Sequence, residues 1–136
     1  MQTDETRALV QRFLEARAAN DAATIDSLLA DDARWLPPPS MNIGPFQGRE
    51  KVVKALTGGA VGKIFDVSTI KREVHKLVVE GDTAVALQRL TATTAKGDAY
   101  ENEYCWVYTC ADGKIVDLVE FVDSFKAAKL FGMVKG

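Results

Sequence analysis

The second half of the chain alternates between strand-like runs and very short turns, and this pattern constrains the fold more than any other feature. We predict four strands, over residues 68–80, 83–94, 99–110 and 115–122. Gly81-Asp82, the segment 95–98 and Asp112-Gly113 supply the turn residues between them. Because connections this short join antiparallel neighbours, the segment is predicted to form an antiparallel meander.

The first half of the chain has helical periodicity instead. A helix is predicted over residues 3–20, in which apolar positions and one arginine share a face: Leu9, Val10, Phe13, Leu14 and Arg17. Asp21 is predicted to cap a second helix ending at Ala30, followed by a short strand over 33–36 that the triple proline at 37–39 ends.

A third helix is predicted over 48–56, closed by Gly58-Gly59, and a last one from Ser124 to about Phe131. Helices followed by a meander indicate an α+β fold in which the helices cover one sheet face. Long twisted strands then curl around the helices and leave a cavity.

Composition limits the classes of function. A chain of 136 residues is predicted to be a single domain, 1–136, and a net charge of −2 argues against nucleic-acid binding. No apolar run approaches the roughly 20 residues of a membrane span. The N-terminal segment does not resemble a signal peptide. With one histidine and two cysteines, we expect reduced thiols, a cytoplasmic protein and no metal site.

Glu120 is the strongest candidate for a functional residue. It stands between apolar residues, and the period of a strand places Leu118, Glu120 and Val122 on one face. An ionised carboxylate on an apolar face requires a partner, water or a raised pKa. Glu120 is therefore either an acid/base group or half of a structural ion pair with Arg89, on a strand of the same sheet.

The preceding strand has a matching face that carries Asn102, Tyr104, Trp106 and Tyr108. Such side chains combine apolar bodies with polar tips. They are predicted to line a ligand pocket, with an outer-face dimer interface as the alternative. Trp35, just before the prolines, either closes the pocket mouth or packs the short strand against the sheet.

The order of these elements resembles the SnoaL-like proteins of the nuclear transport factor 2-like superfamily. The resemblance is carried by residues 9–13, 28–33, 46–50, 112–115 and 119–123. It implies a cone-shaped α+β domain with an apolar pocket, which usually dimerises through the outer sheet face. The superfamily contains isomerases, cyclases, hydrolases and non-enzymatic binders, so the resemblance implies a fold more than an activity.

Two enzyme groups can be compared residue by residue. The oxyanion tyrosine of steroid isomerases matches Phe13, which has no hydroxyl, and their aspartate base matches Pro37. The catalytic residues of the steroid isomerases are therefore not expected here. For limonene-epoxide hydrolases, one catalytic aspartate matches Glu120 and the arginine-bearing strand falls near Arg89. SnoaL-type cyclases chiefly need one carboxylate above a pocket.

Two hypotheses follow. In the first, the protein is a cofactor-free enzyme that acts on a small apolar carbonyl, enol or epoxide compound. Glu120 and Arg89 would be catalytic, and the ligand-binding residues would be Phe13, Trp35, Asn102, Tyr104, Trp106, Leu118 and Val122. In the second, the protein is a non-catalytic small-molecule binder on the same scaffold. A homodimer is expected in both cases.

Overall fold

Helices pack on one face of a curved six-stranded sheet, which confirms the predicted α+β cone. The computed structural model describes residues 1–130 and 132. Its helices are α1 (Thr3–Ala18), α2 (Ala22–Leu28), α3 (Arg49–Thr57), α4 (Ala60–Ile64) and α5 (Ser124–Leu130). Its strands are β1 (Leu29–Leu36), β2 (Phe46–Gln47), β3 (Lys71–Glu80), β4 (Thr83–Thr93), β5 (Ala99–Ala111) and β6 (Lys114–Val122).

The sheet order is β2-β1-β6-β5-β4-β3. The predicted meander is confirmed, since β3 to β6 pair as consecutive antiparallel neighbours. β1 begins four residues before the predicted start at Ala33 and pairs in parallel with β6. This pairing, with Trp35 opposite Leu118, carries the end of β1 beside the strand that holds Glu120.

The helix boundaries differ modestly from the sequence predictions. Asp21 caps α2 as predicted, and its carboxylate accepts a hydrogen bond from the Thr24 amide at 3.2 Å. The glycine pair does end α3, but α4 follows it directly and was not predicted. The predicted end of the last helix at Phe131 lies outside the described residues.

The start of β3 was predicted too early. Residues Val67–Thr69 form a short 3-10 turn, and the strand begins at Lys71. The cause is local, because the Asp66 carboxylate accepts a hydrogen bond from the Ser68 amide at 3.1 Å and caps this turn.

A β-bulge interrupts β3. Val74 pairs with Gln88, whereas Lys76 pairs with Leu87, so His75 is an extra residue on this strand. The extra residue absorbs one step of the alternation. Arg72 and Leu77 therefore face the same side of the sheet, although they are an odd number of residues apart.

The concave face of the sheet has two ends with different contents. We call the first the filled end, where α1 packs against the strands and buries a continuous core that includes Phe13, Ile25, Tyr108, Ile115 and Leu118. The second is the hollow end, around a smaller cluster of Phe65, Leu90 and Tyr100. There the sheet is covered by short elements and leaves a cavity.

Two further observations concern the cysteines and the helices. Cys105 and Cys110 are both free cysteines in the structure. Among the helices that the structure describes, none is both long enough and apolar enough to cross a membrane.

Candidate functional site

The hollow end contains a cavity with an opening to solvent. Its volume is about 80 Å³. A single water needs roughly 10–15 Å³ by the same measure. The cavity therefore has room for a small molecule and is not a collapsed core.

Several elements contribute its walls. The sheet supplies the floor, α4 and the loop that follows β1 supply the sides, and α5 closes one edge. The apolar walls include Trp35, Pro37, Pro38, Met41, Ile43, Val61, Ile64, Phe65, Leu90, Trp106, Val122 and Leu130. The triple proline thus contributes to the cavity as well as ending β1.

Glu120 lies in the cavity wall, on the concave face predicted from its period. Trp106 is its neighbour across β5, and the Trp35 indole N–H donates a hydrogen bond of 3.0 Å to its Oε1. Trp35 itself is held by stacking on Phe46, with ring centroids 4.9 Å apart. The carboxyl group is therefore oriented by an aromatic donor rather than by an ion pair.

Burial raises the pKa of Glu120 to about 7, against the opposing effects of the Trp35 hydrogen bond and of Arg17 and Arg72. Removing water disfavours the ionised form, and the two arginines do not approach closely enough to reverse this. Near neutral pH both protonation states are consequently populated.

Two arginines reach the same cavity. Arg17, from the last turn of α1, is 6% exposed, and its guanidinium carbon lies 5.4 Å from the centroid of the Trp106 ring. Arg72, from the start of β3, donates a hydrogen bond of 3.3 Å to the Arg17 carbonyl oxygen. Burial, and then the Arg17 charge, lower the pKa of Arg72 to about 9, so it stays charged at neutral pH.

A chain of polar groups on β5 ends at the cavity. The Asn102 amide donates to the Tyr100 hydroxyl at 2.7 Å, and the hydroxyl oxygens of Tyr100 and Tyr104 lie 3.1 Å apart. Burial raises the pKa of both tyrosines, so they remain hydroxyl donors. Since one hydroxyl proton joins the two tyrosines, the other is available to a ligand.

The predicted pairing of Arg89 with Glu120 is wrong. Alternation along β4 turns Gln88 towards the helices and Arg89 towards the outer face. There Arg89 lies opposite Glu103 and forms an exposed ion pair with it, Nε to Oε1 2.8 Å. The register that decides this depends on the hairpin between β4 and β5, which a strand pattern alone does not determine.

Of the nine predicted site residues, the structure brings Glu120, Trp35, Tyr104, Trp106 and Val122 together at the cavity. The other predicted ligand contacts lie elsewhere. Phe13 and Leu118 are fully buried at the filled end, where Phe13 packs edge-on to Tyr108 at 5.6 Å. Leu118 lies on the concave face and Phe13 packs within the same core, but both lie at the end that α1 covers.

Asn102 has a structural position rather than a direct ligand contact. It is 1% exposed; its amide donates to Tyr100 and to the Asp123 carbonyl oxygen, and its Oδ1 accepts from the Glu103 amide. It fixes the tyrosine pair and the junction between β6 and α5.

Arg17, Arg72, Gln88 and Tyr100 line the cavity and were missed as site residues. Arg17 gave a signal, because an arginine on the apolar face of an amphipathic helix needs a reason to be buried. Arg72 gave none, since its charged stretch is typical of an exposed strand and the bulge at His75 is not visible in the pattern.

Metal binding has no support in the described part of the chain. Within residues 1–130 and 132, no three histidine, cysteine, aspartate or glutamate side chains cluster closely enough to hold an ion.

Similar structures agree with this architecture. An NTF2-like protein of unknown function from Burkholderia pseudomallei superimposes with a TM-score of 0.81 at 20% identity, covering 93% of this chain and 96% of that one. A Jannaschia protein whose name proposes a SnoaL-like polyketide cyclase gives 0.80 at 16% identity, covering 98% and 95%. TerC, co-crystallised with polyporic acid, gives 0.81 at 16%, covering 94% and 98%.

At these identities the likeness extends to the fold alone. No curated protein matches the sequence. The model of the SnoaL-like domain family, however, matches residues 10–118, which span most of the chain from α1 to the middle of β6. The chain therefore belongs to the SnoaL-like domain family and has its NTF2-like fold.

Proposed function

We propose that the protein is a cofactor-free enzyme that uses Glu120 to transfer a proton on a small, largely apolar carbonyl or enol compound. The observation that carries this proposal is the Glu120 carboxyl in the cavity wall. Its Oε1 is oriented by Trp35. Among the residues that the structure describes, no arginine, lysine or histidine nitrogen lies within 4.0 Å of it.

The protonation equilibrium suits this role. A general base and acid is most effective when its pKa is close to the working pH, and burial raises the pKa of Glu120 to about 7. The ionised form can remove a proton from the carbon next to a carbonyl group. The resulting carboxylic acid can then return the proton at another position, which amounts to an isomerisation or the start of a cyclisation.

The developing negative charge on the carbonyl oxygen needs a donor. The hydroxyl of the Tyr100–Tyr104 pair that is not used within the pair supplies one, since a preorganised donor stabilises an enolate more than the neutral ketone. Trp106 and Val122 offer apolar surface to the rest of the substrate.

The outward position of Arg89 helps to choose between a carbonyl compound and an epoxide as the substrate. Epoxide opening by the limonene-epoxide-hydrolase route would need an arginine between two acids, and Arg89 pairs with Glu103 on the outer face instead. A carbonyl or enol compound is therefore favoured over an epoxide. The name of the Jannaschia protein and the co-crystallisation of TerC with polyporic acid agree with a small organic ligand for this cavity.

The alternative is a non-catalytic binder. It is favoured by Pro37, which lines the cavity at the position that matches the isomerase base and carries no ionisable group. With Glu120 as the one carboxylate among the lining residues of the described chain, a binder would use it only as a hydrogen-bond partner.

Deuterium exchange separates the two functions. Small cyclic ketones and 1,3-diketones are incubated with the protein in D₂O, and proton NMR follows the loss of the signals next to the carbonyl. We expect exchange that the wild type accelerates and Glu120→Gln does not. Glu103→Gln is the matched control, an exposed carboxylate on the outer face, and should behave as the wild type. Equal rates for wild type and Glu120→Gln would leave the binder.

A further inference from the structure

The cavity contains more positive than negative charge. Arg17 and Arg72 both line it, and Glu120 is the carboxylate that faces them. When Glu120 is protonated the two guanidinium charges are unbalanced, and when it is ionised one positive charge still remains. An apolar ligand would leave this imbalance unchanged.

Two exposed arginines of the chain do have carboxylate partners. Arg34 pairs with Asp117 at 2.9 Å, and Arg89 pairs with Glu103 at 2.8 Å, both on the surface. Within residues 1–130 and 132, no carboxylate oxygen lies within 4.0 Å of Arg17 or Arg72. Arg34 and Arg89 thus have carboxylate partners at the surface, whereas no described carboxylate pairs with the two arginines of the cavity.

Unpaired buried charge is costly, and burial lowers the pKa of both arginines. The Arg72 contact with the Arg17 carbonyl oxygen at 3.3 Å holds the two close together despite their repulsion. The face of Trp106 offsets part of the cost for Arg17. A bound anion would offset far more, because guanidinium groups bind carboxylates through charge-assisted hydrogen bonds.

We propose that Arg17 and Arg72 form an anion subsite, which binds the carboxylate group of a small, otherwise apolar substrate. The subsite deepens the proposed function, since it shares its cavity with Glu120 and adds an acid group to the predicted carbonyl compound. Trp106 lies between the two parts, under the Arg17 guanidinium and next to Glu120 across the strands. The carboxylate end of the substrate and its reacting carbon would therefore both lie close to Trp106.

Benzoate and benzamide test the charge requirement, because they have nearly the same size and shape and differ by one negative charge. Binding is measured by calorimetry and by NMR titration of the amide signals. We expect the wild type to bind benzoate at least about tenfold more tightly than benzamide, since guanidinium groups form stronger hydrogen bonds to a carboxylate than to a neutral amide. Equal affinities, or no benzoate binding up to millimolar concentrations, would overturn the subsite.

Arg72→Gln is the main variant. It removes one of two repelling charges, so the fold should persist, which the NMR spectrum checks. Benzoate affinity should fall by about tenfold or more, with benzamide affinity unchanged. Arg89→Gln is the matched control on the outer face and should bind as the wild type. Arg17→Lys keeps the charge at the more buried position and should retain the preference for benzoate. Unchanged benzoate binding in Arg72→Gln would contradict the proposal.

Glu120→Gln separates this inference from the proposed function. It abolishes the acid/base group but leaves both arginines, so benzoate binding should persist or strengthen. If benzoate binds through the arginines and no ketone exchanges, the subsite stands and the enzyme proposal fails. If ketone exchange depends on Glu120 but benzoate affinity is unchanged in Arg72→Gln, the subsite is contradicted and the enzyme proposal stands.

Discussion

The filled end and the hollow end of the concave face are built by the same strands, yet they differ in how tightly their side chains are packed and covered. At the filled end Tyr108 and Leu118 pair across β5 and β6 and are fully buried beneath α1. Four residues along β5, Tyr104 pairs with Val122 and faces the cavity. The strands continue without interruption, so the change comes from what covers them.

α1 is a helix of 16 residues that covers the filled end, whereas short elements cover the hollow end. A long helix presents a continuous apolar stripe that close packing can match. The 3-10 turn Pro39–Met41, α4 and α5 present only a few side chains each, and they enclose space rather than fill it. Stability and function are therefore expected to separate along the sheet.

The largest expected effect tests that separation through the core. Leu118→Ala at the filled end should destabilise the protein by about 2–5 kcal/mol, because the buried site cannot collapse around the lost atoms. Val122→Ala, two residues along the same face but bordering the cavity, should cost no more than about 1.5 kcal/mol. Urea unfolding of the two variants gives the comparison, and similar costs would mean that the hollow end is packed like a core.

The next effect concerns Glu120 and pH. Its pKa of about 7 in the folded protein exceeds its ordinary value of 4.5, so the folded state holds this proton more tightly than the unfolded chain does. The ionised form therefore destabilises the fold as pH rises through this interval. A tenfold change in proton affinity is worth about 1.4 kcal/mol, so the stability of the wild type relative to Glu120→Gln should fall by about 3 kcal/mol between about pH 4 and pH 8. Unfolding measured at both pH values tests this, and a constant difference would contradict the raised pKa.

A matched pair of tyrosines gives a smaller effect. Tyr108→Phe removes a hydroxyl that is fully buried at the filled end. Because a buried polar group that loses its partner there cannot turn to water, the variant should cost about 1–3 kcal/mol. Tyr104→Phe removes a hydroxyl that faces the cavity and should cost less than about 1 kcal/mol while slowing ketone exchange. Thermal unfolding and ketone-exchange rates together test whether Tyr108→Phe chiefly lowers stability and Tyr104→Phe chiefly lowers activity. A Tyr104→Phe variant that is as unstable as Tyr108→Phe would oppose it.

The smallest effect lies on the outer face. Arg89→Gln breaks an exposed ion pair, and such pairs contribute less than about 1 kcal/mol. Its unfolding free energy should be close to that of the wild type, and it should keep both exchange activity and benzoate binding. A loss of ketone exchange in this variant would mean that Arg89 takes part in catalysis despite its outward position.

Much of this arrangement could be predicted from the sequence, and the failures have a common physical origin. The period of two placed Glu120 and Val122 on one face of β6, and Tyr104 and Trp106 on one face of β5, because alternation is a property of one strand. The pairing of Arg89 with Glu120 failed because it depends on register between strands, which hairpin geometry sets. Phe13 and Leu118 were placed on the correct face, but the length of sheet that α1 covers is a tertiary property. The family resemblance implied the cone and did not locate either arginine.

The bulge at His75 determines which charged side chains of β3 face the cavity. In an uninterrupted strand that kept Leu77 on the concave face, strict alternation would turn Glu73 and His75 inward and Arg72 outward. One extra residue thus decides whether this wall of the cavity is cationic or acidic. Under the proposed anion subsite, losing this one irregularity would put Glu73 in place of Arg72 at the wall and remove the preference for acids.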